Sequence, residues 1–255
     1  MKRKGHRPGI YLLPNLFTTA SLFSAFYSIV SSMQGQFELA AIAIFIGMIA
    51  DGLDGRIARM TNTQTAFGAE YDSLSDMVTF GVAPSLLLYN WNLHLLGKLG
   101  WLVAFIYTAA VALRLARFNT QIATDDKSYF QGISCPPAAA FVASFAWLCY
   151  QNNWNGVFIS VITACLAITM AILMVSNVRY NSFKNLDFKG KVPFLYVLII
   201  VMIFTAVASY PALVLFLCAG LYVVSGPLQT LFALRRMRKK RRSAAQGRKR
   251  GSSSK

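Results

Sequence analysis

The sequence is poor in charge and poorer still in acids. Only 13% of its 255 residues are Asp, Glu, Lys or Arg, where an ordinary soluble domain carries about 25%. Nine residues are acidic against 25 basic, and two are histidine. His6 lies in a basic N-terminal stretch and His94 in a connection between apolar runs, so neither supports a zinc or general-base site. The four cysteines, Cys135, Cys149, Cys165 and Cys218, lack metal-ligand spacing and sit in or beside apolar segments, as reduced structural thiols do. There is no Gly-Lys-Ser/Thr phosphate loop, no Ser/His/Asp set and no repeat of solenoid type. These absences exclude a disulfide scaffold, a zinc module, a phosphate-loop nucleotidase and a triad hydrolase.

What is present is apolar surface. Hydrophobic residues make up 56% of the chain and the mean hydropathy is +0.49. Runs near the ~20 residues that a bilayer requires recur along the chain. They are roughly 14–33, 37–58, 70–91, 99–118, 134–151, 155–175, 192–208 and 211–232. The expected fold is therefore all-α, a polytopic membrane helix bundle of about eight transmembrane helices. The short fifth run, entered through Pro136-Pro137, and the break at Ser209-Tyr210-Pro211 leave six or seven open.

Basic residues orient the bundle. With the N-terminus in the cytoplasm, 24 of the 25 lysines and arginines fall on the cytoplasmic side and only Lys98 outside. That asymmetry predicts an even number of spans and two cytoplasmic termini. The stretch Met1-Lys2-Arg3-Lys4 precedes a long apolar run without a small-residue cleavage site, so the first span is expected to stay. Residues 1–233 read as one membrane domain and 234–255 as a disordered basic tail. Directly after a span, such a tail suits anionic lipid headgroups, and no nucleic-acid partner is expected.

Five of the nine acids crowd into 51–76 as Asp51, Asp54, Glu70, Asp72 and Asp76. A carboxylate at mid-bilayer costs about 2.5–3.5 kcal/mol on insertion scales, so a cluster requires a compensating partner. Residues three or four apart share a helix face, which pairs Asp51 with Asp54 and Asp72 with Asp76. The short connection at 60–67 makes the two helices antiparallel neighbours with the four carboxylates converging at the cytoplasmic boundary. Hard oxygen donors in that number suit Mg²⁺ or Mn²⁺, and four suffice for two ions. Gly55 and Gly68 leave space for a bulky group, Arg59 offers a fork for phosphate, and Thr65 adds a hydroxyl. Together these suggest a diphosphate substrate. Glu70 reads as a solvated interfacial residue. Spacing alone does not separate a catalytic metal from a transported one, so a cation-coupled transporter stands beside the enzyme at this point.

The pattern Asp51-x2-Asp54-Gly55-x2-Ala58-Arg59-x8-Gly68-x3-Asp72-x3-Asp76 resembles the signature of the CDP-alcohol phosphotransferases, membrane enzymes that displace CMP from a CDP-linked donor with an alcohol. The resemblance implies that Asp51, Asp54, Asp72 and Asp76 bind two Mg²⁺ or Mn²⁺ ions and that Asp76 is also the general base. It implies a CDP site lined by Asn15, Thr18, Gly55, Arg59, Thr65 and Gly68. The stretches 76–84, Arg114-Leu-Ala-Arg117-Phe-Asn119, Phe130-Gln-Gly132 and 173–180 are similar to the bacterial, membrane-integral class whose acceptor is serine. One departure is Ser134, where that class has proline. The implied reaction moves the phosphatidyl group of CDP-diacylglycerol to L-serine in the cell (inner) membrane, with the site facing the cytoplasm and a homodimer as the assembly. Serine's carboxylate calls for a fixed cation. Arg117 with Asn119 is the first choice, and Arg114 and Arg179 are the others. Glycerol 3-phosphate, inositol phosphate and choline are the alternative acceptors.

Overall fold

The computed structural model describes residues 12–61, 63, 65–121, 130–176, 178–180, 201–202, 205–228 and 230. The basic N-terminal stretch, the start of the seventh apolar run and the C-terminal tail lie outside them.

The first two helices, α1 (Leu12–Met33) and α2 (Phe37–Thr61), are joined by a three-residue turn in which Gly35 takes φ +76°. They pack along one another through small residues: Ala25 on α1 meets the face of α2 that buries Ala40, Ala41 and Ile44. In lipid, helices associate by such close packing, because the tails are as apolar as leucine. Ser28 donates across the interface to the Ala40 carbonyl at 2.8 Å.

The third apolar run is helical from residue 66 to residue 91, but it is not one regular helix. It comprises α3 (Ala66–Asp76), a π turn (Met77–Val82) and α4 (Ala83–Trp91). Pro84 has no N–H and cannot donate to Phe80 four residues earlier. The Ala83 amide instead bonds Val78 five residues back. The fully buried Tyr107 of α5 (Lys98–Gln121) donates its hydroxyl to the Phe80 carbonyl at 3.2 Å. Such π insertions are frequent at functional sites.

The helix α6 (Cys135–Gln151) opens on Pro136-Pro137, where missing N–H groups cost nothing. It is buried along almost its whole length, against α2, α4 and α7 (Val157–Val175). Phe216 of α8 (211–228) stacks on Phe141 at a centroid distance of 5.1 Å.

Among the described residues, four helices are long and apolar enough to cross a membrane: α1, α5, α7 and α8. The other expected spans depart from a plain apolar helix for identifiable reasons. The charges Asp51, Asp54, Arg56 and Arg59 lie on α2, the π turn interrupts the third run, and α6 has 17 residues. The seventh run lies largely outside the described residues; those of it that are described, 201–202 and 205–208, are helical.

One element was not expected from an all-α reading. Phe130–Gln131 (β1) pairs antiparallel with Arg179–Tyr180 (β2). Gly132, at φ +78°, donates its amide to the Val178 carbonyl at 2.8 Å. A Cβ there would stand 2.5 Å from the Met174 carbonyl oxygen, so the chain crosses the end of α7 at a distance only glycine allows.

Candidate active site

The two aspartate pairs meet where α2 and the 66–91 helix diverge. The later part of that helix, the π turn and α4, packs on α2, whereas α3 rests on α1. Oxygens of Asp51, Asp72 and Asp76 all lie within 4.8 Å of one another. Asp51 and Asp76 are close enough to share a hydrogen bond. One oxygen each of Asp72 and Asp76 is buried with no protein partner. Buried carboxylate oxygens without donors are costly unless a cation meets them. An all-oxygen set of this kind suits a hard divalent ion, so the residues present fit a metal.

Asp54 stands outside this triad. Its side chain is buried, and Thr18 of α1 donates to its Oδ2 at 2.8 Å. The α1 turn carrying Thr18 is tied in turn to α3, because Ser75 donates to the Thr18 carbonyl at 3.2 Å.

Asp54, and Asp72 from the triad, border a cleft of about 270 Å³. From α1 it is lined by Pro14, Asn15 and Thr18, and from α2 by Gly55, Ala58 and Arg59. The connection and α3 add Thr63, Thr65, Gly68 and Ala69. All six residues expected around a CDP group therefore border one cavity. Several have local structural tasks as well. Thr65 is the N-cap of α3 and accepts from the Gly68 amide at 3.0 Å. A Cβ on Gly68 would come within 3.1 Å of that hydroxyl and 3.4 Å of Asn15 Oδ1, so glycine lets α1 and α3 approach at the cleft. Arg59 folds back along α2, its Nε donating to the Gly55 carbonyl at 2.8 Å. Thr63 and Ala69 were not anticipated. A buried loop threonine and a helix alanine carry no pattern that singles them out.

The basic residues proposed for an acceptor are not one cluster. Arg114 hydrogen-bonds Cys135 at the start of α6. Arg117 extends to the C-terminal end of α7, donating to the Val175 carbonyl at 3.4 Å, a contact that also suits the helix dipole. Asn119 donates to Ser73, between the two α3 aspartates, at 3.0 Å. The backbone of Arg179 is in β2, and its side chain lies outside the description. Glu70 is exposed, as an interfacial residue would be.

A family model described as CDP-alcohol phosphatidyltransferase matches residues 11–175, which hold the whole triad and the whole cleft. The chain belongs to this family. The CDP-alcohol phosphatidyltransferases are divalent-metal-dependent membrane enzymes, and the triad found here fits that requirement. Within the family, the chain is 38% identical to the CDP-diacylglycerol–serine O-phosphatidyltransferase of Helicobacter pylori, over 88% of this chain and 93% of that one. It is 36% identical to the enzyme of the same name from Methanocaldococcus jannaschii, over 72% of this chain and 80% of the relative. An archaetidylserine synthase of Methanothermobacter thermautotrophicus is 32% identical over 66% and 69%. Serine stands in all three names, as the acceptor in the first two and within the product lipid in the third.

Proposed function

We propose that this protein transfers the phosphatidyl group of CDP-diacylglycerol to the hydroxyl of L-serine, giving phosphatidylserine and CMP. The observation that carries the reading is the match to CDP-diacylglycerol–serine O-phosphatidyltransferases along nearly the full chain, joined to a carboxylate triad beside a cleft of about 270 Å³. The CDP head occupies that cleft, with Arg59 on its phosphates and Asn15, Thr18, Gly55, Thr65 and Gly68 around the nucleotide. The acyl chains remain in the bilayer.

Asp51, Asp72 and Asp76, with Asp54 beside them, would hold two Mg²⁺ or Mn²⁺ ions. When bound, such ions neutralise the diphosphate and stabilise charge that develops during displacement at phosphorus. The protein's own groups do the rest. Asp76 accepts the proton of serine's hydroxyl as its oxygen forms a bond to the β-phosphorus. The bond from that phosphorus to the bridging oxygen breaks, and CMP leaves with the oxygen. Thr18 keeps the Asp54 carboxylate turned into the cleft. Arg114, hydrogen-bonded to Cys135 at the start of α6, is one of the arginines available to serine's carboxylate. Asn119 borders the same approach through Ser73. Arg117 and Arg179 complete the acceptor side, Arg117 partly through its hold on α7.

The reading includes about eight spans, six to eight, with both termini and the site at the cytoplasmic face of the cell (inner) membrane, a homodimer, and anionic lipids against the basic face. Single cysteines at positions 59 and 98, probed with an impermeant thiol reagent on intact cells and inverted vesicles, test the orientation. Position 98 should label from outside and position 59 only from within.

The deciding experiment for the reaction is an acceptor panel. Membranes containing the protein receive CDP-diacylglycerol, Mn²⁺ and, separately, labelled serine, glycerol 3-phosphate, inositol phosphate or choline. Label should enter lipid from serine alone. Incorporation of another alcohol, with none of serine, overturns the assignment.

A further inference from the structure

Tyr107 is fully buried in α5, and the chemistry outlined above does not use it. Its hydroxyl crosses to the 66–91 helix and donates to the Phe80 carbonyl at 3.2 Å, in a π turn that begins at the residue after Asp76. Phe80 is the carbonyl to which Pro84 would donate were it any other residue. Other contacts close on the same turn. The Ser21 and Thr79 hydroxyls are 3.2 Å apart. Thr79 presses on α2 where a Cβ at Gly47 would be 3.0 Å from its methyl. Gly81 lies against Val111 of α5, 3.3 Å from where its Cβ would stand. The turn is thus gripped from α1, α2 and α5, and the proline supplies the reason that a side-chain donor is needed.

We propose that Tyr107 is a positioning residue: through its hydrogen bond to the Phe80 carbonyl it holds the π turn that fixes Asp76 against Asp51 and Asp72. Helical backbone freed by a proline within a membrane relaxes or recruits another donor, and here the donor comes from the helix packed alongside. Asp76 is the last residue before the turn, so slack in the turn passes directly to its carboxylate. The proposal rests on the reading of Asp76 as the group that takes the acceptor proton, and its test includes a measurement that does not depend on that reading.

The test uses the full chain, purified in detergent, as wild type, Tyr107→Phe and the double variant Pro84→Ala/Tyr107→Phe. Phenylalanine keeps the packing and removes only the donor. Alanine at 84 returns a backbone N–H to face Phe80. Tyr107→Phe should lower kcat about fivefold, as loss of one buried hydrogen bond implies, with KM for CDP-diacylglycerol within twofold. Its affinity for Mn²⁺, followed by electron paramagnetic resonance without substrates, should weaken several-fold. The double variant should recover most of both losses, which a merely space-filling tyrosine does not predict. Unchanged kcat and Mn²⁺ affinity in Tyr107→Phe, or a double variant no better than the single one, overturns the proposal. If Tyr107→Phe does not fold, Thr79→Val, which loosens the same turn from the α1 side, should show the same fall in kcat, and wild-type values there overturn it. If the wild type does not use serine, the function reading fails alone, because Mn²⁺ affinity still tests the placement of Asp76.

Discussion

Replacing Thr18 by valine isolates one hydrogen bond at the heart of the site. The two side chains are nearly the same size, so the packing of this buried position between α1 and α2 is kept. What is lost is the hydroxyl that donates to Asp54 Oδ2 at 2.8 Å, with both residues at most 5% exposed. The hydroxyl also lies 3.2 Å from the Pro14 carbonyl, but it has one proton, and the shorter contact is to the carboxylate. A hydrogen bond to a charged group contributes about 1.5–3 kcal/mol. If the bond serves to aim Asp54 into the cleft, that energy is missing from the bound and reacting complex. At about 1.4 kcal/mol for each factor of ten, kcat/KM for CDP-diacylglycerol should fall about 10- to 100-fold. Thr18→Ser retains the donor and should remain within about threefold of wild type. The assay is CMP release from CDP-diacylglycerol dispersed in detergent, at saturating serine and Mn²⁺, with thermal unfolding of each variant as the control for folding. Wild-type kinetics in Thr18→Val would refute the argument, and so would an equal loss in Thr18→Ser.

Other consequences follow from the same geometry. Asp51→Asn or Asp72→Asn removes an anionic oxygen from the triad and should weaken Mn²⁺ binding at least tenfold by calorimetry, while leaving α2 and α3 helical by circular dichroism. Chelation by EDTA should abolish turnover, and added Mn²⁺ or Mg²⁺ should restore it. Gly68→Ala places a methyl 3.1 Å from Thr65 Oγ1 and 3.4 Å from Asn15 Oδ1. KM for CDP-diacylglycerol should rise about tenfold or more, as for one methyl in a fitted pocket, with Mn²⁺ affinity unchanged. Gly132→Ala should lower the melting temperature, because a left-handed residue with a Cβ costs about 1–2 kcal/mol even before its contact with the Met174 carbonyl.

The triad was legible in the sequence because charge in an apolar setting is costly and helical periodicity is short-ranged. Asp72 and Asp76, four apart on one helix face, and Asp51 toward the end of the preceding helix were drawn together by the short connection between them. The separate placement of Asp54 was not legible, since it depends on Thr18, 36 residues earlier in the chain. The π turn was hidden for a similar reason. Pro84 signals a disturbance of the helix, but its form is set by the donor that answers it, and Tyr107 is 27 residues beyond the Phe80 it bonds. Among the arginines, charge asymmetry led to the expectation that all three lie on one side of the bundle, but only tertiary contact separates Arg114, bonded to Cys135 at the start of α6, from Arg117 at the end of α7. The runs that form α1, α5, α7 and α8 are long and apolar enough to cross a membrane, and most of each lies outside the buried core. The α6 helix, enclosed by protein, is free to be shorter and richer in alanine.

The central claim is that the cleft and triad together move a phosphatidyl group from CDP to serine. Its most direct test is to follow CMP and labelled phosphatidylserine in the same samples of purified protein supplied with CDP-diacylglycerol, labelled L-serine and Mn²⁺. The account predicts that the two products appear in equal amounts, stop together on chelation and are both lost in Asp76→Asn. CMP released without phosphatidylserine, or phosphatidylserine formed at the wild-type rate by Asp76→Asn, would contradict it.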